Sequence, residues 1–403
     1  MAIIPSNSQM DGGEIIAENQ KVVVSFSGGM DSSSLILRYL ADGCHVVAVS
    51  FLYGQKHSIE IEYAKKNIAL LQKNGCNIHH EIADLSSAMH LFSSALLSDD
   101  TLVPEGHYEE EQMKATVVPN RNAIFSSLIY GKALSIAIQH DEEVKIGLGV
   151  HSGDHAIYPD CRPEFYDAIH NAFTLGNWES EKVSFDLPYL HGDKSTILKD
   201  ALASCDTLGL NFDEVFSNTL TSYNPDSMGR SSGKSGSDIE RILAFHSIGR
   251  KDPIEYQDSW ENVLHHALEI QRKYQDDVYR ETLSELEYFV TRQSGTERPH
   301  TGTLLHEKRE GTYTCKCCHH PLFDSSSKFD SGCGWPAFHT EMEGADIVRI
   351  EDRSHGMIRV EVRCNQCDAH LGHVFEDGPK QYGGERYCIN SVSMNFTSEE
   401  DVI

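Results

Sequence analysis

No run of this 403-residue sequence is apolar for long enough to cross a bilayer, which argues against a membrane-spanning helix. Its opening stretch, MAIIPSNSQMDGGEIIAENQ, lacks a basic segment followed by an apolar core, so no secretory leader is expected and a cytoplasmic location is. Positive charge is scarce: 34 Lys and Arg stand against 61 Asp and Glu, a formal charge of −27. So acidic a chain is a poor general binder of nucleic-acid backbones, although a local basic surface is compatible with it. Internal repeats are missing, and the only compositionally biased stretch is Ser227–Ser237. The 11 cysteines do not read as a disulfide framework. Their densest group falls in C-x-x-C pairs, which suits metal and redox thiols in a reducing compartment.

At 403 residues the chain exceeds one ordinary core, and two domains are expected. The first part alternates strand and helix signals. Lys21–Phe26 is a β-branched run followed by a glycine turn and the helical pattern Ser33–Leu40. His45–Leu52 and Glu143–Val150 are further strand candidates, while Ser58–Asn74, Ile124–His140 and Glu164–Phe173 have helical spacing. Such alternation predicts an α/β domain, a mostly parallel sheet with helices on both faces. Near Asp252 the character changes: Pro253 suits a first helical turn, and the charge-rich Trp260–Leu286 reads as a helical connector. After Gly295 come short strands, glycine turns and C-x-x-C knuckles, which predict a small, mainly β domain. The expected partition is 1–250, 251–282 and 283–403.

Cys315-Lys316-Cys317-Cys318 and Cys364-Asn365-Gln366-Cys367 place two thiols on each of two tight knuckles. Cys315, Cys318, Cys364 and Cys367 together supply a closed structural zinc site, with Cys317 a bystander. Cys333 and Cys388 are left over. Arg386, two residues before Cys388, would point to the same side of a strand and favour a thiolate there. His370 and His373 could bind or protonate a substrate oxygen; on spacing alone they are equally core histidines. These residues sit in GTERPHTG, YTCKCCHHPLF, SSSKFDSGCGWPAF, SHGMIRVEVRCNQCDAHLGHVFEDGP and RYCINSVSMNF. From Leu283 to Phe396 the sequence resembles the methionine-R-sulfoxide reductases almost end to end. The resemblance implies Cys388 as nucleophile, Cys333 as resolving thiol and Trp335 as a wall for the substrate methyl group. It also implies His370, His373 and Asn390 around the sulfoxide oxygen, with Asp377 and Arg386 orienting and activating that set. Thioredoxin would be the reductant. Ala337 stands where a serine is usual and His300 where an aromatic is; neither touches those roles.

Ser27-Gly28-Gly29-Met30-Asp31-Ser32-Ser33 follows a strand and opens a helix, where glycines, hydroxyls and helix N–H groups bind phosphate. It has no Walker lysine. It resembles the SGGxDS pyrophosphate loop of enzymes that adenylate a substrate. Phe26 through Ile36, Ser34 and Leu35 included, would then bind ATP, with Asp31 the partner of Mg²⁺. FLYGQKH (Phe51–His57), VVPNRNAIF (Val117–Phe125), YPDCRPEF (Tyr158–Phe165) and DKSTIL (Asp193–Leu198) narrow the resemblance to the 7-cyano-7-deazaguanine synthases of queuosine biosynthesis, over about Lys21–Phe245. That family activates 7-carboxy-7-deazaguanine with ATP and converts the acid to an amide and then a nitrile, using ammonia. Asn120, Arg121, Asn122, Asp160 and Arg162 would face the deazaguanine and its carboxylate, although polar loop residues also serve as turn and cap formers.

One departure stands out. The synthases carry a C-Y…C-G-x-C-x-x-C zinc site before R-x-x-A-F. Here the frame is TSYNPDSMGRSSGKSGSDIERILAF, with Tyr223, Gly233, Arg241, Ala244 and Phe245 in register and Ser222, Ser232, Ser235 and Asp238 at the ligand positions. Hydroxyls are very poor zinc ligands. Either the loop folds by hydrogen bonds and packing, or its loss of metal reshapes the rim and admits a nucleophile other than ammonia. Cys44, Cys76 and Cys205 read as core thiols, and Cys161 lies inside YPDC.

The sequence thus predicts a bifunctional fusion using ATP, Mg²⁺ and one zinc. Its substrates would be a 7-deazaguanine acid and methionine sulfoxide in protein or peptide, with no membrane partner. The alternatives are a ligase whose acceptor amine belongs to a protein or nucleic acid, and a silent nucleotide-binding module that regulates the reductase.

Overall fold

The computed structural model describes residues 19–54, 59–89, 91–94, 96–97, 104–151, 153, 157–222, 225–226 and 228–399. Gln55, Lys56, His57 and Ser58, and Tyr223 of the altered zinc loop, lie outside these residues. The chain divides into two compact units, Met1–Gln271 and Arg272–Ile403.

In the first unit, β1 (Lys21–Ser25), α1 (Met30–Ala41), β2 (His45–Leu52), α2 (Ile59–Lys73) and β3 (Ile78–Asp84) lead to a single turn, α3 (Ser86–Met89). Then come α4 (Arg121–His140), β4 (Val144–Gly147), α5 (Pro163–Gly176), β5 (Val183–Asp186), α6 (Lys194–Leu208), α7 (Phe212–Ser217) and α8 (Gly236–Ser247). The five strands are parallel, in the order β3-β2-β1-β4-β5. Side chains alternate across β1: Val22 and Val24 enter the layer with α1, α2 and α6, and Val23 enters the layer with α4 and α5. Two strands escape the periodicity argument. β3 is half-exposed at the sheet edge and reads IHHEIAD, and β5 is only VSFD. The strand order reverses at β1, so a crevice opens beyond the carboxyl ends of β1 and β4, where open α/β sheets bind ligands.

Trp260–Leu286 is not one helix. α9 (Trp260–Thr282) stops and α10 (Glu285–Arg292) restarts, because Ser284 and Glu287 form a capping box that satisfies the new helix's first N–H groups. Nor is all of it a bare connector: Val263 and Ala267 of α9 pack against Ile239 and Ile242 of α8.

The second unit is antiparallel. Its strands are β6 (Gly311–Cys315), β7 (Pro321–Asp324), β8 (Lys328–Phe329), β9 (Ala337–Phe338), β10 (Ile347–Asp352), β11 (Arg359–Cys364), β12 (His370–Phe375), β13 (Arg386–Ile389) and β14 (Met394–Ser398). They form one sheet ordered β10-β11-β12-β13-β9-β8 and another ordered β14-β6-β7. No helix among the described residues is long and apolar enough to cross a membrane.

Candidate active sites and metal centre

Beyond β1 and β4 lies a cavity of about 250 Å³. Phe26, Ser27, Gly29, Met30, Asp31 and Ser32 of the expected ATP loop line it. Gly28 has φ +81°, and a Cβ there would stand 2.9 Å from the Glu60 carbonyl, so the loop passes α2 only as glycine. Ser33, Ser34, Leu35 and Ile36 do not line the cavity: Ser34 Oγ donates to the Met30 carbonyl at 2.9 Å, and Leu35 and Ile36 are buried in the core. Lys194, the first residue of α6, donates to Asp31 Oδ2 at 2.9 Å, and His151 Nε2 lies 3.9 Å from the same oxygen. Asp193 of DKSTIL caps that helix, its Oδ1 accepting the Thr196 N–H at 2.7 Å. Burial pushes the Asp31 carboxyl up, but Lys194 and then His151 outweigh it and hold it below its ordinary value. Asp31 Oδ1 is buried with no hydrogen-bond partner among the described residues, which fits a hard divalent cation at that oxygen.

Of the five expected deazaguanine contacts, Arg121 and Asn122 line the cavity. Asn122 Nδ2 donates to Cys161 Sγ at 3.3 Å, and the Arg121 guanidinium lies 5.8 Å from the Tyr158 ring centre. Asn120 is instead the exposed left-handed residue before α4, and Asp160 and Arg162 do not line the cavity. What the sequence reading missed is an aromatic wall of Phe51, Tyr53, Tyr108, Phe125, Tyr158 and Tyr166, with Phe51 and Phe125 stacked at 4.2 Å. Lys194 was missed as well. Aromatics scattered from position 51 to 166 leave no spacing signal.

The four positions of the altered zinc loop do converge, but through oxygen. Ser222 Oγ and Ser232 Oγ donate to Asp238 Oδ2 at 3.1 and 3.4 Å, and the Ser235 N–H reaches the same oxygen at 3.3 Å. Ser235 Oγ in turn accepts the Asp238 N–H, a capping box that starts α8. Burial pushes the Asp238 carboxyl above its ordinary value, and the hydroxyls of Ser231, Ser235 and Ser222 only partly offset it. Among the described residues the loop is closed by these hydrogen bonds.

In the second unit Cys315, Cys318, Cys364 and Cys367 place their sulfurs within 4.8 Å of one another. Cys315–Cys367 and Cys318–Cys364 are each 3.6 Å apart. A tetrahedral zinc with Zn–S of about 2.3 Å has S–S edges of about 3.8 Å, so the set fits that ion. The two knuckles repeat one geometry. The His319 N–H donates to the Cys315 carbonyl at 3.0 Å and the Asp368 N–H to the Cys364 carbonyl at 2.8 Å, and His319 and Asp368 both take positive φ. Cys317 lies outside the set.

Cys388 lies in β13, between β12 and β9, directly opposite His373 and Ala337. Directly opposed residues share a face, so His373 stands beside the thiol. A Cβ on Gly372 would collide with the Cys388 carbonyl, so β12 approaches this closely only as glycine. Cys333 Sγ is 3.5 Å from Cys388 Sγ. Arg386 forms a two-pronged pair with Asp377 at 2.8 and 2.9 Å. Burial, then Cys333, push the Cys388 thiol up to about 12, and Arg386 pulls it down without prevailing. The expected activation by Arg386 is thus outweighed in the resting dithiol.

The two histidines are held by opposite nitrogens. His370 Nδ1 is 2.5 Å from Glu361 Oε1, leaving its buried Nε2 without a partner among the described residues; His373 Nε2 is 2.9 Å from Asp352 Oδ2. Asn390 spends its amide on the backbone, with Nδ2 donating to Leu371 O at 3.0 Å and Oδ1 accepting the Glu297 N–H at 3.1 Å. Buried Glu297 also accepts Trp335 Nε1 on its carbonyl at 3.1 Å and the N–H groups of Ser391 and Val392 on its carboxylate. Glu297, Asp352 and Glu361 were not anticipated, because a supporting carboxylate looks like any surface acid in sequence.

Residues 21–249 match the model of the family described as Queuosine biosynthesis protein QueC, and residues 283–398 match the SelR domain. The chain belongs to the QueC family and carries a C-terminal SelR domain. The 7-cyano-7-deazaguanine synthase of Psychromonas ingrahamii is 41% identical over 242 residues, 60% of this chain and 100% of that protein. 7-cyano-7-deazaguanine synthase 1 of Colwellia psychrerythraea is 42% identical over 241 residues, 59% of this chain and 99% of its own length. The synthase of Hahella chejuensis is 43% identical over 237 residues, 59% of this chain and 93% of its own. The NMN synthetase of Francisella tularensis superposes with a TM-score of only 0.27 at 15% identity, over 62% of this chain and 87% of that one. The chain's own strand order gives a parallel five-stranded α/β domain followed by an antiparallel β domain with a four-cysteine cluster.

Proposed function

We propose that the chain is a two-activity enzyme. Its QueC domain, 1–250, adenylates a 7-carboxy-7-deazaguanine-type acid. Its SelR domain, 283–403, reduces methionine-R-sulfoxide in peptides or proteins, and 251–282 joins them. The ligase reading is carried by one cavity that combines the Ser27–Ser32 loop, Asp31 and Lys194 with an aromatic wall suited to a flat heterocycle. The acid's carboxylate attacks the α-phosphorus of ATP, pyrophosphate leaves, and an amine then displaces AMP from the acyl carbon. Mg²⁺ on Asp31 would neutralise phosphate charge; the loop's hydroxyls and the N-terminus of α1 orient the phosphates, while Arg121 and Asn122 face the acid. The reductase reading is carried by the Cys333–Cys388 contact of 3.5 Å beside His373. Cys388 loses its proton and attacks the sulfoxide sulfur, methionine leaves, and the oxygen stays as a sulfenic acid. Cys333 then displaces that hydroxyl as water, forming a disulfide that thioredoxin reduces. Zinc held by the four thiolates supplies structure and no step.

The test is one incubation of the full chain with the acid, ATP, Mg²⁺ and ammonia, with products identified by mass, and a parallel one with R-methionine sulfoxide and thioredoxin. AMP, pyrophosphate and nitrile support the synthase reading. AMP with amide or an amine conjugate and little nitrile moves the acceptor to another amine on protein or nucleic acid. No acid-dependent AMP supports a silent nucleotide-binding module.

A further inference from the structure

One helical turn of α8 connects the oxygen-based cage to the nucleotide cavity. Asp238 anchors the cage, and two residues later Glu240 Oε2 lies 3.1 Å from Lys194 Nζ. Lys194 is only 8% exposed and at the same time reaches Asp31 Oδ2 at 2.9 Å. A single ammonium therefore stands between two carboxylates. One of them, Asp31, is the residue given above to Mg²⁺. A divalent ion on Asp31 Oδ1 takes over that carboxylate's charge and repels an ammonium held at its other oxygen, Oδ2. With Asp31 as its only counter-charge, Lys194 would be driven off when the cavity has most phosphate charge to hold. Glu240 is a second carboxylate already in place.

The surroundings are built for it. A Cβ on Gly153 would stand 2.7 Å from Glu240 Oε1, so glycine leaves that carboxylate its room. The next residue, Arg241, is fully buried and fixes this turn of the helix. It donates to both oxygens of Asp252, at 2.6 and 2.9 Å, and to the hydroxyls of Thr219 and Thr221, at 2.8 and 3.0 Å. Thr221 itself lines the cavity.

We propose that Glu240 is a positioning residue that keeps Lys194 in the cavity while Asp31 exchanges its ammonium partner for the metal. The inference rests on the ligase reading. Its test uses the full chain and calorimetric binding of α,β-methylene-ATP, which cannot be split at the α–β bond, titrated against Mg²⁺. In Glu240→Gln the second counter-charge is gone and the ion must drive Lys194 off Asp31 in order to bind, so the Mg²⁺ giving half-maximal nucleotide binding rises about fivefold or more. Glu240→Asp recovers part of the loss. In a Lys194→Ala background, Glu240→Gln adds nothing to the Mg²⁺ requirement, because the competitor is gone. A purely structural contribution would lower the melting temperature and leave that requirement in place. Equal Mg²⁺ midpoints for the unaltered chain and Glu240→Gln overturn the assignment. Failure of the unaltered chain to bind the analogue at any Mg²⁺ concentration overturns the ligase reading together with it.

Discussion

Two loops, one in each unit, face the same problem and solve it with different atoms. In the SelR domain four sulfurs from β6, β11 and their knuckles gather within 4.8 Å, a donor set for zinc. In the QueC domain three serines and Asp238 gather around one carboxylate oxygen, and the loop closes as the N-cap of α8. A zinc ion held by the first would contribute its binding free energy to folding. The second depends on burying a polar cluster whose members satisfy one another. The contrast extends to chemistry. Asp31 is kept charged by an adjacent lysine, whereas Cys388 is kept protonated by burial and a second thiol.

Removing one zinc ligand gives the largest effect. Structural zinc contributes about 10–16 kcal/mol in small domains, as much as the whole stability of a typical domain, about 5–15 kcal/mol. Cys364→Ser is expected to unfold the SelR domain and abolish reductase turnover while α1–α8 keep their hydrogen-exchange protection. Elemental analysis should find one zinc in the parent chain. Zinc that survives in Cys364→Ser would mean the QueC domain holds a metal too, and the comparison would break.

Asp238→Ala comes next. It leaves the hydroxyls of Ser222 and Ser232 and the N–H of Ser235 without their acceptor, at roughly 1–3 kcal/mol for each buried group that finds no other. Faster exchange across α8, with zinc content unchanged, is the expected result. Asp238→Asn should cost less, and it should also change the pH dependence. The folded carboxyl is raised above its ordinary 3.8 by burial, so the folded state binds its proton more tightly than the unfolded state. Stability from this group therefore falls as pH rises from 3.8 to the folded value. The asparagine variant should lose that decline in denaturant titrations, and an unchanged slope would show that burial does not raise the Asp238 carboxyl.

The smallest effect concerns the thiol pair. After burial, Cys333 is the next cause holding the Cys388 thiol up. Cys333→Ser should move the alkaline rise in single-turnover sulfenic acid formation to lower pH, with thioredoxin-dependent cycling lost. A rise that stays in place would show that burial alone sets the nucleophile.

The expected architecture was legible wherever chemistry and spacing coincide along the chain. Val22–Val24 followed by Ser27–Ser33 announces a strand, a phosphate turn and a helix, and the structure puts Ser27, Asp31 and Ser32 on the cavity. The paired knuckles at Cys315 and Cys364 were equally plain. Legibility failed where position depends on distant packing. β3 and β5 have too little apolar pattern for a periodicity argument, and the Trp260–Leu286 stretch hid the cap at Ser284. Asn120 stands exposed in a left-handed conformation just before α4 and does not line the cavity, a placement set by the backbone turn and not by its neighbours in sequence.

Local sequence by itself determined the donor types: four thiols at metal spacing, a lysine-free phosphate loop, and hydroxyls where zinc ligands would stand. Reactivity and support were decided only by the tertiary structure. Which nitrogen each histidine presents, whether Arg386 prevails over burial at Cys388, and that Glu240 reaches Lys194 all depend on distances between residues far apart in sequence. Electrostatic interactions scale with separation and burial, and neither is a property of any short stretch of chain.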